Sequence, residues 1–151
     1  MSYTYSVFYG SVRSAREGIK AAVFIKKQLE KRGHRVHFID AAEYKLPLLD
    51  KMYKEYKKGE APETMEKIAG WLKESEGFVM VTGEYNHSIP PGLSNLLDHF
   101  QQEYYFKPSA IISYSAGMFS GVRAAVHLRA LVGELGMPAI SSMLPVPKVQ
   151  E

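Results

Sequence analysis

Short apolar runs alternate with amphipathic stripes along the whole of this chain, and that alternation restricts its fold more than any other feature. Tyr3–Tyr9 is rich in β-branched and aromatic residues and reads as a strand. Gly10 to Gly18 interrupts it. Ile19, Ala22, Ile25 and Leu29 then recur at helical spacing, and Gly33 closes that helix. Arg35–Ile39 reads as a second strand, while Asp40 to Pro62 has no clear period and predicts an irregular excursion with one helical turn. Met65, Ile68, Ala69 and Leu72 stripe a helix between Pro62 and Gly77, and Phe78–Thr82 is a short, almost wholly apolar strand of the kind covered on both faces. Leu93, Leu96, Leu97 and Phe100 mark another helix. Ala110–Tyr114 is a fourth strand, Ala125, Leu128, Leu131, Val132 and Leu135 stripe a fourth helix, and Ala139–Val146 contains a fifth strand.

Strands and helices in strict succession, with connections long enough for crossovers, predict an α/β fold: a doubly wound, five-stranded parallel sheet in a single domain spanning residues 1–151. Such a sheet has room for a helix after its fifth strand, but LPVPKVQE, Leu144–Glu151, holds two prolines and no helical stripe. The expectation is therefore a sheet with its final helix missing and apolar residues, Val79, Val81, Ile111 and part of Met143–Val146, exposed on one face. A partner chain or the Asp40–Pro62 excursion would then cover it.

Composition narrows the chemistry. With no cysteine, the chain has no disulfide, thiolate nucleophile or Cys-ligated metal site. The N-terminal MSYTYSVFYGSVR lacks the basic-then-apolar order of a signal peptide, and no apolar run approaches a bilayer span. These features predict a cytoplasmic protein without membrane or nucleic-acid partners. The net charge is +3, and residues 1–35 carry eight Lys/Arg against two Glu, a bias that suits small anionic ligands or a solvated basic helix face.

In doubly wound sheets, ligands bind beyond the carboxyl ends of the strands, where strand order reverses. Three loops leave those ends. The first, GSVRSAREG at Gly10–Gly18, combines a turn-forming glycine, the Ser11 hydroxyl and a helix N-terminus with two guanidinium forks, Arg13 and Arg16. It is either a phosphate cradle or a turn with basic caps, and it lacks both the Gly-x-Gly-x-x-Gly and the Gly-Lys-Ser/Thr nucleotide signatures. The second, GEYNHSIPP from Gly83, places an acid, an aromatic, an amide and an imidazole in a row: Glu84, Tyr85, Asn86 and His87. Tyr85 offers stacking surface and Asn86 offers both donor and acceptor to a ring edge. The third, YSAGMFSGVRAA at Tyr114–Ala125, has small residues at Ser115, Ala116, Gly117, Ser120 and Gly121 that let backbone approach a flat ligand. Met118 and Phe119 suit core or interface packing equally, and Arg123 suits capping of its own loop. A phosphate at one loop and a flat ring at the other two describe a mononucleotide, of which FMN fits best.

Four segments, in order, carry a resemblance. GSVRSAREG, LPLLD at Leu46–Asp50, GEYN at Gly83–Asn86 and KPSAIISYSAGMFSGVRAA at Lys107–Ala125 resemble the motifs of the NAD(P)H-dependent FMN reductase family, the flavodoxin-like quinone, azo-dye and chromate reductases. The resemblance implies a flavodoxin-like fold and FMN as cofactor. It places Ser11, Arg13, Arg16, Glu17 and Gly18 at the FMN phosphate. Glu84, Tyr85, Asn86 and His87 would meet one side of the ring, and Ser115, Ala116, Gly117, Met118 and Gly121 the other. Gly83 stands where the family has proline, and Ser120 where it has the first of two glycines.

By the same resemblance, NADPH or NADH donates hydride and a small-molecule electron acceptor such as a quinone, azo compound or free flavin receives it, by ping-pong exchange. No catalytic side chain is assigned, because hydride transfer uses the flavin's own electronics, and His87 is read as a positioning residue. A homodimer or homotetramer is expected from the aromatic run Tyr104, Tyr105 and Phe106 after the third helix, with Tyr105 either facing substrate or, as fits such a run better, packed and buried. The alternative function is a flavodoxin-type electron carrier, although such carriers are usually acidic.

Overall fold

The computed structural model describes all 151 residues. Five strands, β1 (Thr4–Tyr9), β2 (Arg35–Asp40), β3 (Gly77–Thr82), β4 (Ser109–Tyr114) and β5 (Ala139–Val146), alternate with four helices, α1 (Ile19–Lys31), α2 (Glu63–Glu74), α3 (Pro91–Asp98) and α4 (Val122–Glu134). Every strand pairing is parallel, and the order is β2-β1-β3-β4-β5. The chain winds outward one way from β1 to β2, then returns past β1 to build β3, β4 and β5. The reversal of strand order therefore falls between β1 and β3. The expected doubly wound parallel sheet is present, and no helix is long and apolar enough to cross a membrane.

Alternation along the strands sorts the core onto two faces. Phe8, Phe78, Met80 and Ile111 point to the face covered by α2 (Met65, Ile68, Leu72), α3 (Leu93, Leu96, Leu97) and α4 (Ala125, Leu128, Val132). Val7, Tyr9, Val79, Val81, Ile112 and Tyr114 point to the opposite face, which α1 covers with Ile19, Ala22, Ile25 and Leu29. All six residues of β3 are buried, as expected of a central strand sandwiched between helical layers. Truncating a fully buried side chain on the first face, such as Ile68 or Leu97, would cost roughly 2–5 kcal/mol.

Three expectations need correction. Val79 and Val81 are buried rather than exposed, in one apolar cluster with Ala22 of α1 and its partly buried Ile19, Ile25 and Leu29. Ile111 faces the other way, beneath the three-helix layer. The thinly covered surface lies further out, where Phe24, Ile140 and Leu144 are 57%, 51% and 48% exposed. Nor does the 41–62 excursion fold across that face. Its single 3₁₀ turn, Tyr53–Glu55, and its side chains Tyr44, Leu46 and Tyr56 pack on the α2/α3 side.

The aromatic run after α3 divides. Tyr104 is fully buried, its ring edge-on to Phe78 and its hydroxyl donating to the Leu97 carbonyl, whereas Phe106 is 96% exposed. Tyr105 packs on Gly136, the first preceding β4 and the second β5, at the end of the sheet remote from the three candidate loops, so it takes the packing role rather than facing substrate.

Candidate functional site

At the carboxyl edge of β1, β3 and β4 the three loops enclose a cavity of about 270 Å3. Its wall is built from Ser11, Arg13, Ala15, Arg16, Glu17 and Gly18 of the first loop and Gly83, Glu84 and Tyr85 of the second. Tyr114, Ser115, Ala116 and Val149 complete it. The cavity sits at the reversal of strand order, where the loops after β1 and β3 diverge to opposite sides and leave a crevice.

The first loop is electrically distinctive. No backbone N–H from Ser11 to Gly18 finds an acceptor within the chain. Eight consecutive unpaired donors leading into the N-terminus of α1 make a concavity suited to an anion. Arg13 lines the cavity with no hydrogen bond or ion pair to the rest of the chain, so its guanidinium is free for a ligand. Arg16 is committed otherwise. Its Nη1 donates to the Asp40 carboxylate at 2.5 Å and to the Ser11 carbonyl at 3.1 Å, and the bond to Asp40 raises its pKa further. Arg16 is thus a strut that fixes the loop's shape, with part of its guanidinium still facing the cavity.

The second loop is a two-residue hairpin. Tyr85 and Ser88 exchange both backbone hydrogen bonds, at 3.0 and 2.9 Å, and the tip residues Asn86 and His87 have φ of +50° and +62°. Two successive positive φ values are the mark of a type I′ turn, which favours asparagine at its first central position. Both tip side chains are exposed and neither lines the cavity. Glu84 turns toward α4, where its Oε2 accepts the N–H groups of Arg123 (3.0 Å) and Ala124 (3.2 Å), and its other oxygen pairs with Arg123 at 3.7 Å. A carboxylate on unpaired amides at a helix N-terminus is a favourable cap. Arg123, in the first turn of α4, thus ties to the second loop rather than capping its own, and it lies outside the cavity wall.

The third loop is held from beyond β5. The Lys148 and Val149 N–H groups donate to the Gly117 and Ser115 carbonyls, and the Gln150 amide donates to Ala116. Ser115 and Ala116 thereby face the cavity, whereas Gly117, Met118 and Gly121 lie outside its wall. Met118 and Phe119 are each 69% exposed. Gly121 is required where it stands. It has φ +70°, and a Cβ there would come within 2.7 Å of the Tyr114 carbonyl oxygen.

Four wall residues were not anticipated: Ala15, Gly83, Tyr114 and Val149. Tyr114 was legible in part, since it shares the parity of Ile112 and ends β4 at the ligand edge. Val149 follows two prolines in a segment with no period, and nothing in the sequence pointed to it.

A doubly wound sheet with a run of unpaired amides after β1 and small residues after β4 is the architecture of the flavodoxin-like α/β class. The particular family follows from comparison: the sequence profile described as NADPH-dependent FMN reductase matches residues 4–151, and the chain belongs to that family. A quinone reductase of Escherichia coli is 37% identical over 75 residues, which make up 47% of this chain and 40% of that protein. A quinone reductase of Pseudomonas putida is 29% identical over 144 residues, 91% of this chain and 74% of its own. The chain thus spans less than half the length of the Escherichia coli relative. Among solved structures, the flavoenzyme NAD(P)H:(acceptor) oxidoreductase FerB of Paracoccus denitrificans superposes with a TM-score of 0.76 at 24% identity. That match covers 99% of this chain and 80% of FerB, a likeness of fold.

Proposed function

We propose that this protein is an NAD(P)H-dependent, FMN-containing oxidoreductase that passes electrons to quinones, azo compounds, free flavin or similar flat acceptors. The observation that carries this reading is the unbroken run of unpaired amides from Ser11 to Gly18 beside the free Arg13, at the mononucleotide edge of a sheet in this family. The residues fit FMN. Unpaired amide donors and Arg13 suit a dianionic phosphate, and Tyr85 adds an aromatic surface to the cavity wall.

Bound FMN supplies hydride acceptance from nicotinamide and electron donation to the second substrate. The chain's own contribution is positional and electrostatic. Arg16 and Asp40 hold the first loop in its cradle shape. Glu84 fixes the hairpin against α4, and residues 148–150 hold Ser115 and Ala116 at the cavity wall. No acid or base from the chain is required, and sequential use of one ring face by donor and acceptor gives ping-pong exchange.

The test is an absorption spectrum of the purified protein followed by anaerobic NADPH titration, then aerobic NADPH consumption with a quinone. A yellow protein that NADPH bleaches and that turns over quinone is the expected result. A colourless protein that takes up no added FMN overturns the reading. One that binds FMN yet shows no steady NADPH consumption with any quinone is an electron carrier instead.

A further inference from the structure

The ring of Tyr114 is wedged between the first and second loops. A Cβ placed on Gly18 would lie 2.0 Å from its Cζ and 2.5 Å from its hydroxyl, and a Cβ on Gly83 would lie 3.2 Å from each. The two glycines therefore accommodate this one ring from opposite sides. At Gly83, where the family resemblance leads one to expect proline, glycine answers to Tyr114 rather than to loop flexibility.

Beneath Tyr114 lies Tyr9, the last residue of β1. Its ring centroid is 6.3 Å from that of Tyr114, and the Arg16 guanidinium lies 5.4 Å above its ring. Tyr9 is fully buried and its hydroxyl has no hydrogen-bond partner within the chain. The hydroxyls of Tyr9, Tyr114 and Ser11 are mutual neighbours, and those of Ser11 and Tyr114 belong to cavity-wall residues. Burial holds both phenols in their neutral, proton-bearing form by raising their pKa values. A buried donor left unpaired is costly, and such a group beside a ligand cavity is a place where ligand binding supplies the missing partner.

We propose that Tyr114 and Tyr9 complete the phosphate site from below. Tyr114 donates its O–H to a phosphate oxygen seated in the first loop, and Tyr9 donates its O–H to the Tyr114 oxygen. Each hydroxyl in the chain then has an acceptor, and each bond polarises the next. The inference rests on the reading that a phosphate monoester, that of FMN, occupies this loop. It adds to the charged contacts a neutral donor relay, which determines preference for the phosphorylated flavin over the same ring and tail without phosphate.

The experiment compares Tyr114→Phe, Tyr9→Phe and wild type, each titrated with FMN and with riboflavin by flavin fluorescence, alongside melting of the flavin-free proteins. Phenylalanine keeps the wedge and removes only the oxygen, so neither variant disturbs Gly18 or Gly83. The expected result for Tyr114→Phe is FMN affinity lowered about tenfold, with riboflavin affinity unchanged. Tyr9→Phe is expected to weaken FMN about threefold while raising the melting temperature of the flavin-free protein, because an unpaired buried hydroxyl has gone. A purely structural role for Tyr9 would not move those two readouts in opposite directions. FMN affinity within twofold of wild type in both variants overturns the relay and leaves the flavin reading intact. So does equal weakening of FMN and riboflavin, which would mark a contact with ring or tail. A wild type that binds neither flavin overturns both.

Discussion

Arg16 crosses the first loop to Asp40, and the contact of their charged groups joins the start of α1 to the end of β2. Asp40 is 4% exposed, and its remaining bond at the same oxygen comes from the Ala42 N–H. Arg13, three residues earlier, has no such tie. The two arginines of one motif should therefore fail differently. Arg16→Ala is expected to destabilise the protein by roughly 1.5–3 kcal/mol, since it strands a buried carboxylate. Arg13→Ala should change stability by less than about 0.5 kcal/mol but weaken FMN binding by about tenfold or more, a charge-assisted bond. Urea midpoints and FMN titrations of both variants check this, and unchanged FMN affinity in Arg13→Ala would remove the first loop from the phosphate assignment.

Glu84 gives a second separation of roles. Although Glu84 lines the cavity, its carboxylate also caps the N-terminus of α4, so Glu84→Ala should lower stability by about 1 kcal/mol. The backbone amides of Arg123 and Ala124 should lose hydrogen-exchange protection, while Glu84→Gln, which keeps an acceptor oxygen, should retain most of it. Protection unchanged in Glu84→Ala would mean that the cap does not hold in solution.

The tyrosines predict the alkaline limit of the fold. Six of the ten, Tyr5, Tyr9, Tyr44, Tyr53, Tyr104 and Tyr114, have pKa values raised first by burial, with Tyr53 pushed up to about 12 by burial and by its hydrogen bond to Glu66. A raised folded-state value means that the unfolded chain releases these protons at lower pH than the native one. The stabilisation is complete below about pH 10, the ordinary tyrosine value, and falls as pH rises above it. An ultraviolet titration should show the buried phenols of Tyr9, Tyr104 and Tyr114 ionising together with loss of circular dichroism. Smooth ionisation of all ten without unfolding would contradict the burial.

Exposed apolar side chains on one side of α4 and the loop before it predict self-association. Phe119, Val122 and Val126 are 69%, 37% and 58% exposed, and the last two are one helical turn apart. Sedimentation at micromolar concentration should give a dimer or larger species, and Val126→Glu should shift it toward monomer with little loss of melting temperature. A monomeric wild type would refute the assembly.

The succession of strands and helices and the helix faces were legible because burial on both sides forces β3 to be apolar throughout and gives each helix a single stripe, which sequence period records. The placement of side chains within the loops was less so. Arg13 and Arg16 look alike in the sequence, and only the arrival of Asp40 from β2 distinguishes them. Glu84 lines the cavity as its place in the second loop suggested, but its bonds to two amides of α4 could not be read from the sequence. Asn86 and His87 sit at a turn whose positive φ values direct them to solvent, a matter of backbone geometry that residue type only hints at. The exposed face was misplaced because Val79 and Val81 share an apolar cluster with the inner residues of α1, which counting helices did not reveal.

The Tyr114 wedge also bears on how the protein folds. Its ring separates two loops that lie about thirty and a hundred residues earlier in the chain, and the entropic cost of closing such segments is met only once β4 has docked beside β3. While the β1–α1–β2 unit forms, the first loop therefore has the Arg16–Asp40 contact to settle against but not the Tyr114 ring. In a refolding experiment, recovery of secondary structure should precede recovery of flavin affinity. On a ribosome, the cradle after β1 would be among the first residues to emerge and among the last to take its working shape.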